Sequence, residues 1–433
     1  MIDWKDKREF WITGARVADP ESGRLRAGSV CVQKGIITEV AWQRVTGTDL
    51  PVLEAEGYVL APGFIDIHTH LREPGYEEKE TIKTGTAAAV AGGYTSIVCM
   101  ANTDPVIDVP SVVEFILREA ERAGSCRVFV TAALTRGLEG EIISEYNSLK
   151  EAGAVALSDD GNYVTNSQVM RSALEYARFL DLPVISHCED RFLSDATLMN
   201  EGYSSTRLGM RGSPAAAEEI AVARDIRLSR LTGARLHIAH ISTAGSVELV
   251  KQAKKSGIPV TAEVTPHHLT MEDTLLESFD TSLKTNPPLR GREDIEALRA
   301  GLEDGTIDCI ATDHAPHNVI DKEVEFDLAP PGMIGLETAF ALLNTRLVQT
   351  SAIGLIDLIR LMTSNPARVL GLPGGRMVKG EKADLVLLDP EAKWAVEAES
   401  LRSKSRNTPL VGTELAGRVK GVFLEGKWIN VVP

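Results

Sequence analysis

The chain has 433 residues, of which 43% are hydrophobic and 25% charged, and a formal net charge of −15 at pH 7. It is too long for one small domain, and its composition is that of an ordinary globular enzyme. The negative charge argues against a general affinity for nucleic acid or anionic membrane, whose phosphates would repel it.

From the N-terminus, Met1–Arg8 is too polar for a secretory signal. The runs Trp11–Thr13, Ser29–Val32 and Ile36–Val40 then read as short strands, separated by the turn-prone Asp19–Gly23 and Lys34-Gly35. The same texture returns at the far end, in Asp384–Pro390 and Val419–Trp428. Neither piece alone buries much core, so the two are expected to pair into one small β-domain. Between them, short apolar runs alternate with helical segments. The runs are Phe64–His70, Tyr94–Met100, Arg127–Ala132, Ala154–Ser158, Pro183–Cys188, Arg235–His240, Pro259–Val264 and Asp308–Asp313. The helical segments include Ser111–Ala123, Ser167–Leu180, Pro214–Thr232 and Ala244–Ser256. Eight strands alternating with helices predict an α/β fold, a (β/α)₈ TIM-type barrel. A doubly wound open sheet is the competitor, but no G-x-G-x-x-G follows an early strand. The expected division is 1–58 and 370–433 for the two parts of the β-domain, and 59–369 for the barrel.

The uncharged stretch Gly85–Thr103 needs a membrane check; its Gly92-Gly93 fits a helix ending there and a strand following. Five cysteines, Cys31, Cys99, Cys126, Cys188 and Cys309, are scattered without a C-x-x-C pair. Buried free thiols in a reducing, cytoplasmic compartment are expected.

The chemistry starts at Pro62-Gly63-Phe64-Ile65-Asp66-Ile67-His68-Thr69-His70. Residues i and i+2 of a strand share a face, so His68 and His70 project together at a strand's end and can grip one cation. Similar residues recur at later strand ends: Asp159-Asp160, His187, His240 and Asp313. A lone histidine is usually a satisfied core residue, but five coincidences at one end of successive strands point to a metal centre at the barrel mouth. Four histidines and two carboxylates exceed what one tetrahedral zinc needs, and suit two divalent ions sharing a carboxylate and a hydroxide. His68, His70 and Asp313 would hold one ion, and His187 and His240 the other. Asp159 or Asp160 would bridge, since adjacent residues on an extended chain face opposite ways. Asp313 is the candidate catalytic proton carrier. His237 lies at odd spacing from His240 and is expected to face away from it and to be structural, while His267 and His268 read as supporting or structural residues.

The P-G-F-I-D-x-H-x-H start and the closing Asp313-His314-Ala315-Pro316-His317 resemble the amidohydrolase superfamily. His70-Leu71-Arg72-Glu73-Pro74-Gly75, Met100–Thr103, Thr285–Arg290 and Ala329–Gly332 narrow the resemblance to the bacterial class I dihydroorotase family, over nearly the whole chain. That resemblance implies a zinc-dependent cyclic amidohydrolase that interconverts N-carbamoyl-L-aspartate and L-dihydroorotate in pyrimidine (UMP) biosynthesis. It implies Zn²⁺, two per chain, with Asp160 rather than Asp159 as the bridge. Arg72, Asn102 and His317 would bind the substrate carboxylate, and Asn286 and the Gly332 backbone the ring amides. Related hydantoin and dihydropyrimidine hydrolases carry a carboxylated lysine on strand four, but no lysine lies between Lys150 and Lys251. The resemblance also allows a homodimer and an association with aspartate carbamoyltransferase. The rivals are allantoinase or another cyclic-ureide hydrolase, and a non-catalytic scaffold for that transferase. Arg72 and the missing lysine oppose the first, and the filled ligand positions the second. Finally, the long polar segment Asn318–Pro331 reads as a lid over bound substrate.

Overall fold

The computed structural model describes residues 7–431, so most of the polar Met1–Arg8 stretch lies outside the described residues. Both chain ends build the first sheet. Its N-terminal strands are β1 (Glu9–Asp19), β2 (Arg24–Gln33), β3 (Ile36–Ala41), β4 (Val52–Glu54) and β5 (Val59–Pro62). β1 pairs antiparallel with β2 and parallel with β4 and β5. Alternation along β1 and β2 turns Phe10, Ile12, Val17, Val30 and Val32 into one buried cluster.

The change from sheet to barrel falls at Gly63, between β5 and β6 (Phe64–Thr69). A β-carbon on Gly63 would lie 2.2 Å from the Thr95 side chain, so only glycine lets the chain pass there. The barrel continues with β7 (Tyr94–Cys99), β8 (Arg127–Ala132), β9 (Ala154–Ser158) and β10 (Val184–Ser186). A two-stranded excursion, β11 (Met199–Asn200) and β12 (Gly212–Ser213), precedes β13 (Leu236–Ile238), β14 (Val260–Val264) and β15 (Cys309–Ile310). The order is β15-β14-β13-β10-β9-β8-β7-β6 with parallel neighbours. A parallel bridge between Thr69 and His314, with His70 N–H donating to the His314 carbonyl at 2.9 Å, brings the last strand back to the first. This is the expected (β/α)₈ barrel.

Strands of a parallel sheet are covered on both faces, and β6 and β7 are buried at every position, their polar residues included. Ile65, Ile67, Val98, Ala156, Ile185 and Ala239 share one buried cluster of strand residues. The helices turn one face inward: Pro110–Ala123 buries Val112, Val113, Ile116 and Ala120 and leaves its charges outside. The uncharged stretch begins within the helix Ile82–Ala91, which ends at Gly92, and runs on through β7, as expected. Among the described residues, no helix is long and apolar enough to cross a membrane. All five cysteines are buried and free.

The C-terminal strands β16 (Leu385–Ala395), β17 (Glu414–Leu424) and β18 (Lys427–Asn430) complete the first sheet, β16 pairing antiparallel with β5. Val419–Trp428 is a hairpin rather than one strand. It turns at Glu425 and Gly426, both with positive φ (48° and 72°), the twist a two-residue turn needs. Arg127, at the foot of β8, pairs with Asp384 and with Glu425 Oε1 at 2.6 Å, tying barrel to sheet.

Candidate metal centre

Every expected ligand lies at the C-terminal end of a barrel strand. His68 is within β6 and His70 just past it; Asp160, His187, His240 and Asp313 follow β9, β10, β13 and β15 by one to three residues. All six are buried. Arg72, His240 and Asp313 have positive φ (61°, 30° and 49°), which side chains normally avoid. Held by the surrounding barrel, this backbone turns the side chains inward where strand periodicity has ended.

Asp160 sits at the middle. Its Oδ1 is 3.3 Å from His68 Nε2, 3.6 Å from His240 Nε2 and 4.0 Å from His187 Nδ1, and its Oδ2 is 3.5 Å from His70 Nε2. Asp313 Oδ1 lies 3.0 Å from His70 Nε2 and 3.7 Å from His68 Nε2. His187 Nδ1 and His240 Nε2 are 3.0 Å apart. Two groups, His68/His70/Asp313 and His68/Asp160/His240, each keep their donor atoms within 4.8 Å. Asp159 faces elsewhere, accepting hydrogen bonds from the backbone N–H and hydroxyl of Thr135.

Two observations fit a divalent cation here. His68 Nε2 and Asp160 Oδ1 are buried with no hydrogen-bond partner, an arrangement that costs stability unless a ligand satisfies them. The donor set of imidazoles and carboxylates is also that of zinc-like ions. The electrostatics agree. Burial alone would raise the Asp160 carboxyl, yet the surrounding His68, His240 and His70 hold it well below the usual carboxylate range. Burial opposes charge on His68, but Asp160 and Glu263 raise it well above an ordinary imidazole. Asp313 is likewise lowered against its burial, by His70 and His68. A field that favours positive charge on buried imidazoles also favours a cation among them.

The far nitrogens of three histidines are bonded outward, and the nearest partner atom of each is an oxygen. His68 Nδ1–H donates to Glu263 Oε1 at 2.6 Å, His70 Nδ1–H to Asn102 Oδ1 at 2.9 Å, and His187 Nε2–H to Glu189 Oε2 at 3.2 Å. The opposite nitrogens, His68 Nε2, His70 Nε2 and His187 Nδ1, therefore present lone pairs to the centre. Sequence reasoning missed Glu263 and Glu189. A glutamate inside the otherwise apolar Val260–Val264, and a carboxylate two residues past His187, were the available signals. His237 is in neither of the two donor groups at the centre. Its Nε2–H donates to Glu263 Oε2 at 3.1 Å, beneath His68. β13 ends at Ile238, so the odd spacing to His240 spans an irregular turn rather than a strand. His268 is satisfied by Thr265 and the Pro287 carbonyl, and neither it nor His267 enters the clustered donor groups.

A cavity of about 240 Å³ opens over the centre, lined by His70, Asp160, His187, His240 and Asp313 together with Arg72, Asn102, Asn286, His317 and Gly332. Among the described residues, the Arg72 guanidinium spends only Nε, on the Pro316 carbonyl at 3.2 Å. Asn102 gives its oxygen to His70, leaving its amide N–H groups for a ligand. Asn286 Nδ2 donates to Glu189 at 3.1 Å. His317 Nε2–H donates to the Pro331 carbonyl at 2.9 Å, and burial, with Arg72 and Lys322 nearby, keeps its ring neutral. The Gly332 N–H is spent on the Lys284 carbonyl, so a ligand can reach only the remaining lone pair of its carbonyl, which already accepts from Asn407. His314 points away, to Glu80 and the Gly335 N–H. The segment Asn318–Pro331 is more ordered than its polarity suggested. Asn318 caps the short helix Val319–Lys322, and Phe326 and Ala329 are buried. Lys322 Nζ donates to the Thr281 and Pro330 carbonyls, and Lys284 Nζ to those of Phe326 and Asp327.

The profile of the amidohydrolase family matches residues 59–429. A dihydroorotase of Syntrophobacter fumaroxidans is 50% identical over 430 residues, covering 98% of this chain and 97% of that protein. One of Caldanaerobacter subterraneus is 48% identical over 416 residues, covering 96% of each. Among solved structures, the L-hydantoinase of Arthrobacter aurescens superposes with a TM-score of 0.87 over 98% of this chain and 96% of that one, at 22% identity. A likeness that distant speaks to the fold alone.

Proposed function

This chain belongs to the amidohydrolase family, and from that membership and the geometry of its metal centre we infer the dihydroorotase reaction: reversible interconversion of N-carbamoyl-L-aspartate and L-dihydroorotate, a step of pyrimidine synthesis. One observation carries the reading beyond likeness. The carboxylate–imidazole centre and an arginine with both terminal nitrogens uncommitted line the same small cavity. Dihydroorotate pairs a hydrolysable ring amide with a carboxylate, and so needs both.

The metal is proposed to be zinc, two ions per chain, with the protein cytoplasmic. His68, His70 and Asp313 would hold one ion, His187 and His240 the other, and Asp160 both. Such ions lower the pKa of a coordinated water from about 15.7 to about 7 and polarise an amide carbonyl. The remaining work falls to the chain's own groups. Arg72 grips the ring carboxylate through its two free terminal nitrogens, in the planar fork that suits carboxylates. Asn102 and His317 flank that carboxylate. Asn286 and the Gly332 carbonyl meet the ring amides and so set the scissile bond over the centre. Asp313 is ionised at neutral pH because His70 and His68 hold its carboxyl low. Its oxygen can therefore accept a proton from the attacking water and return it to the leaving ring nitrogen. In the ring-closing direction the same oxygen takes the proton from that nitrogen. Asn102 and Glu189 keep the His70 and His187 imidazoles turned inward throughout.

An aspartate at position 160 and the absence of lysine between residues 150 and 251 separate this centre from a carboxylated-lysine arrangement. The test is elemental analysis of the purified protein alongside turnover of L-dihydroorotate, dihydrouracil and allantoin. Two zinc ions per chain with a strong preference for dihydroorotate is the expected result. A preference for allantoin or dihydrouracil would overturn the substrate.

A further inference from the structure

We propose that Glu263 is the positioning residue of His68, holding its imidazole so that Nε2 alone faces the metal centre, and that His237 and Thr261 hold Glu263 in turn. This rests on the metal-dependent reading above.

The geometry is a continuous chain within the barrel. Glu263 Oε1 accepts from His68 Nδ1–H at 2.6 Å, and its Oε2 accepts from His237 Nε2–H at 3.1 Å. His237 Nδ1 lies 2.8 Å from the Thr261 hydroxyl. His68, Glu263 and His237 are 0%, 0% and 1% exposed, so water does not compete for the two bonds to Glu263. A carboxylate only accepts, which puts a proton on each nitrogen facing it. With its proton on Nε2, His237 must accept at Nδ1, and the Thr261 hydroxyl is there to donate. Each tautomer is thus set by its neighbour, from a threonine on β14 up to the centre. A carboxylate behind an imidazole also makes the opposite nitrogen a better donor to a cation, because it stabilises the positive charge the ring then shares.

Another use of these residues fits less well. His237, Glu263 and Cys309 bring donor atoms within 4.8 Å of one another and so could hold an ion themselves. Both carboxylate oxygens and both His237 nitrogens are already hydrogen-bonded, however, and burial pushes the Cys309 thiol well up, away from the thiolate a metal needs. The cluster is a support beneath the centre rather than a second centre.

The test compares wild type, Glu263→Gln and Thr261→Val. Zn²⁺ affinity is measured without substrate by competition with a chromophoric chelator, and the visible spectrum of the Co²⁺-loaded protein is recorded. In Glu263→Gln the amide can accept from only one imidazole and presents N–H to the other, so affinity should fall about 10–100-fold and the cobalt bands should shift. Thr261→Val touches neither His68 nor metal. It should still weaken Zn²⁺ by about three- to tenfold, through a loosened His237, with far-UV circular dichroism unchanged. Unchanged affinity and spectrum in Glu263→Gln overturn the proposal; if that variant does not fold, unchanged affinity in Thr261→Val does so instead. Poor turnover of dihydroorotate by a wild type that binds zinc would strike the substrate assignment and leave this inference standing.

Discussion

Replacing Arg72 by methionine separates recognition of the substrate carboxylate from chemistry at the metal centre. Methionine keeps an unbranched chain and pays about the same cost as arginine for the backbone at φ 61°, so the loop should keep its path. What is lost can be sized. Arg72 Nε is committed to the Pro316 carbonyl, which orients the fork and leaves two terminal nitrogens for a carboxylate. Each charge-assisted bond contributes about 1.5–3 kcal/mol, and the two are not fully additive, so about 3 kcal/mol is at stake. At 1.4 kcal/mol per decade, that is about two orders of magnitude in kcat/KM for L-dihydroorotate. A second effect acts in the same direction. Asp313, Asp160 and Asp321 all act electrostatically on this guanidinium, and without it they repel an anionic substrate. Dihydrouracil is neutral and lacks the carboxylate, so whatever slow turnover it shows should change by no more than about threefold, a shift below 0.7 kcal/mol. The assay follows ring opening of both substrates, with zinc content measured on the same preparations. Equal losses on both would mean that Arg72 supports the metal centre. An unchanged kcat/KM for dihydroorotate would place the carboxylate elsewhere.

Asp160→Ala should lower bound zinc per chain far more than Asp159→Ala, because Asp160 faces four imidazoles while Asp159 is bonded to Thr135; a larger loss from Asp159→Ala would reverse the assignment. Asp313→Asn keeps an oxygen ligand but cannot carry a proton at neutral pH, so it should retain metal and lose about 10²–10⁴ in kcat in both directions; an undiminished rate would remove Asp313 from proton transfer. Lys322→Ala deletes bonds at 3.1 and 2.7 Å to the Thr281 and Pro330 carbonyls and should speed proteolysis of residues 319–330 about tenfold. If the segment closes over the cavity, dihydroorotate should slow that cleavage in wild type, and identical rates with and without ligand would make it a plain surface segment.

Much of the architecture was legible because it rests on local regularities. Eight apolar runs spaced by amphipathic helices bury both strand faces in a parallel sheet covered by helices, and of the two such folds the closed barrel is the one observed. The shared direction of His68 and His70 was legible because His68 lies in β6 and His70 only one residue past its end. Gly92-Gly93 marked the end of one helix and the start of β7, since the first caps the helix and the second takes φ 93°. The turn inside Val419–Trp428 was less visible, because Glu425 carries a positive φ without being a glycine.

Tertiary structure decided what lies past the strand ends and what pairs across the barrel. A strand's period fixes side-chain direction only while the strand lasts, and β13 ends before His240 and β15 before Asp313. From there the positive φ of each residue aims the side chain, while His237, still within β13, bonds Glu263 beneath His68. The same limit kept Asp159 and Asp160 equivalent on residue chemistry alone, until Thr135 was seen to take the first. Glu263 pairs with His68 across 195 residues of sequence. No local pattern encodes that partnership, because only the barrel's closure, which brings the end of β15 back to β6, lets a side chain of β14 reach across to one of β6, and the lack of water there makes the bond strong.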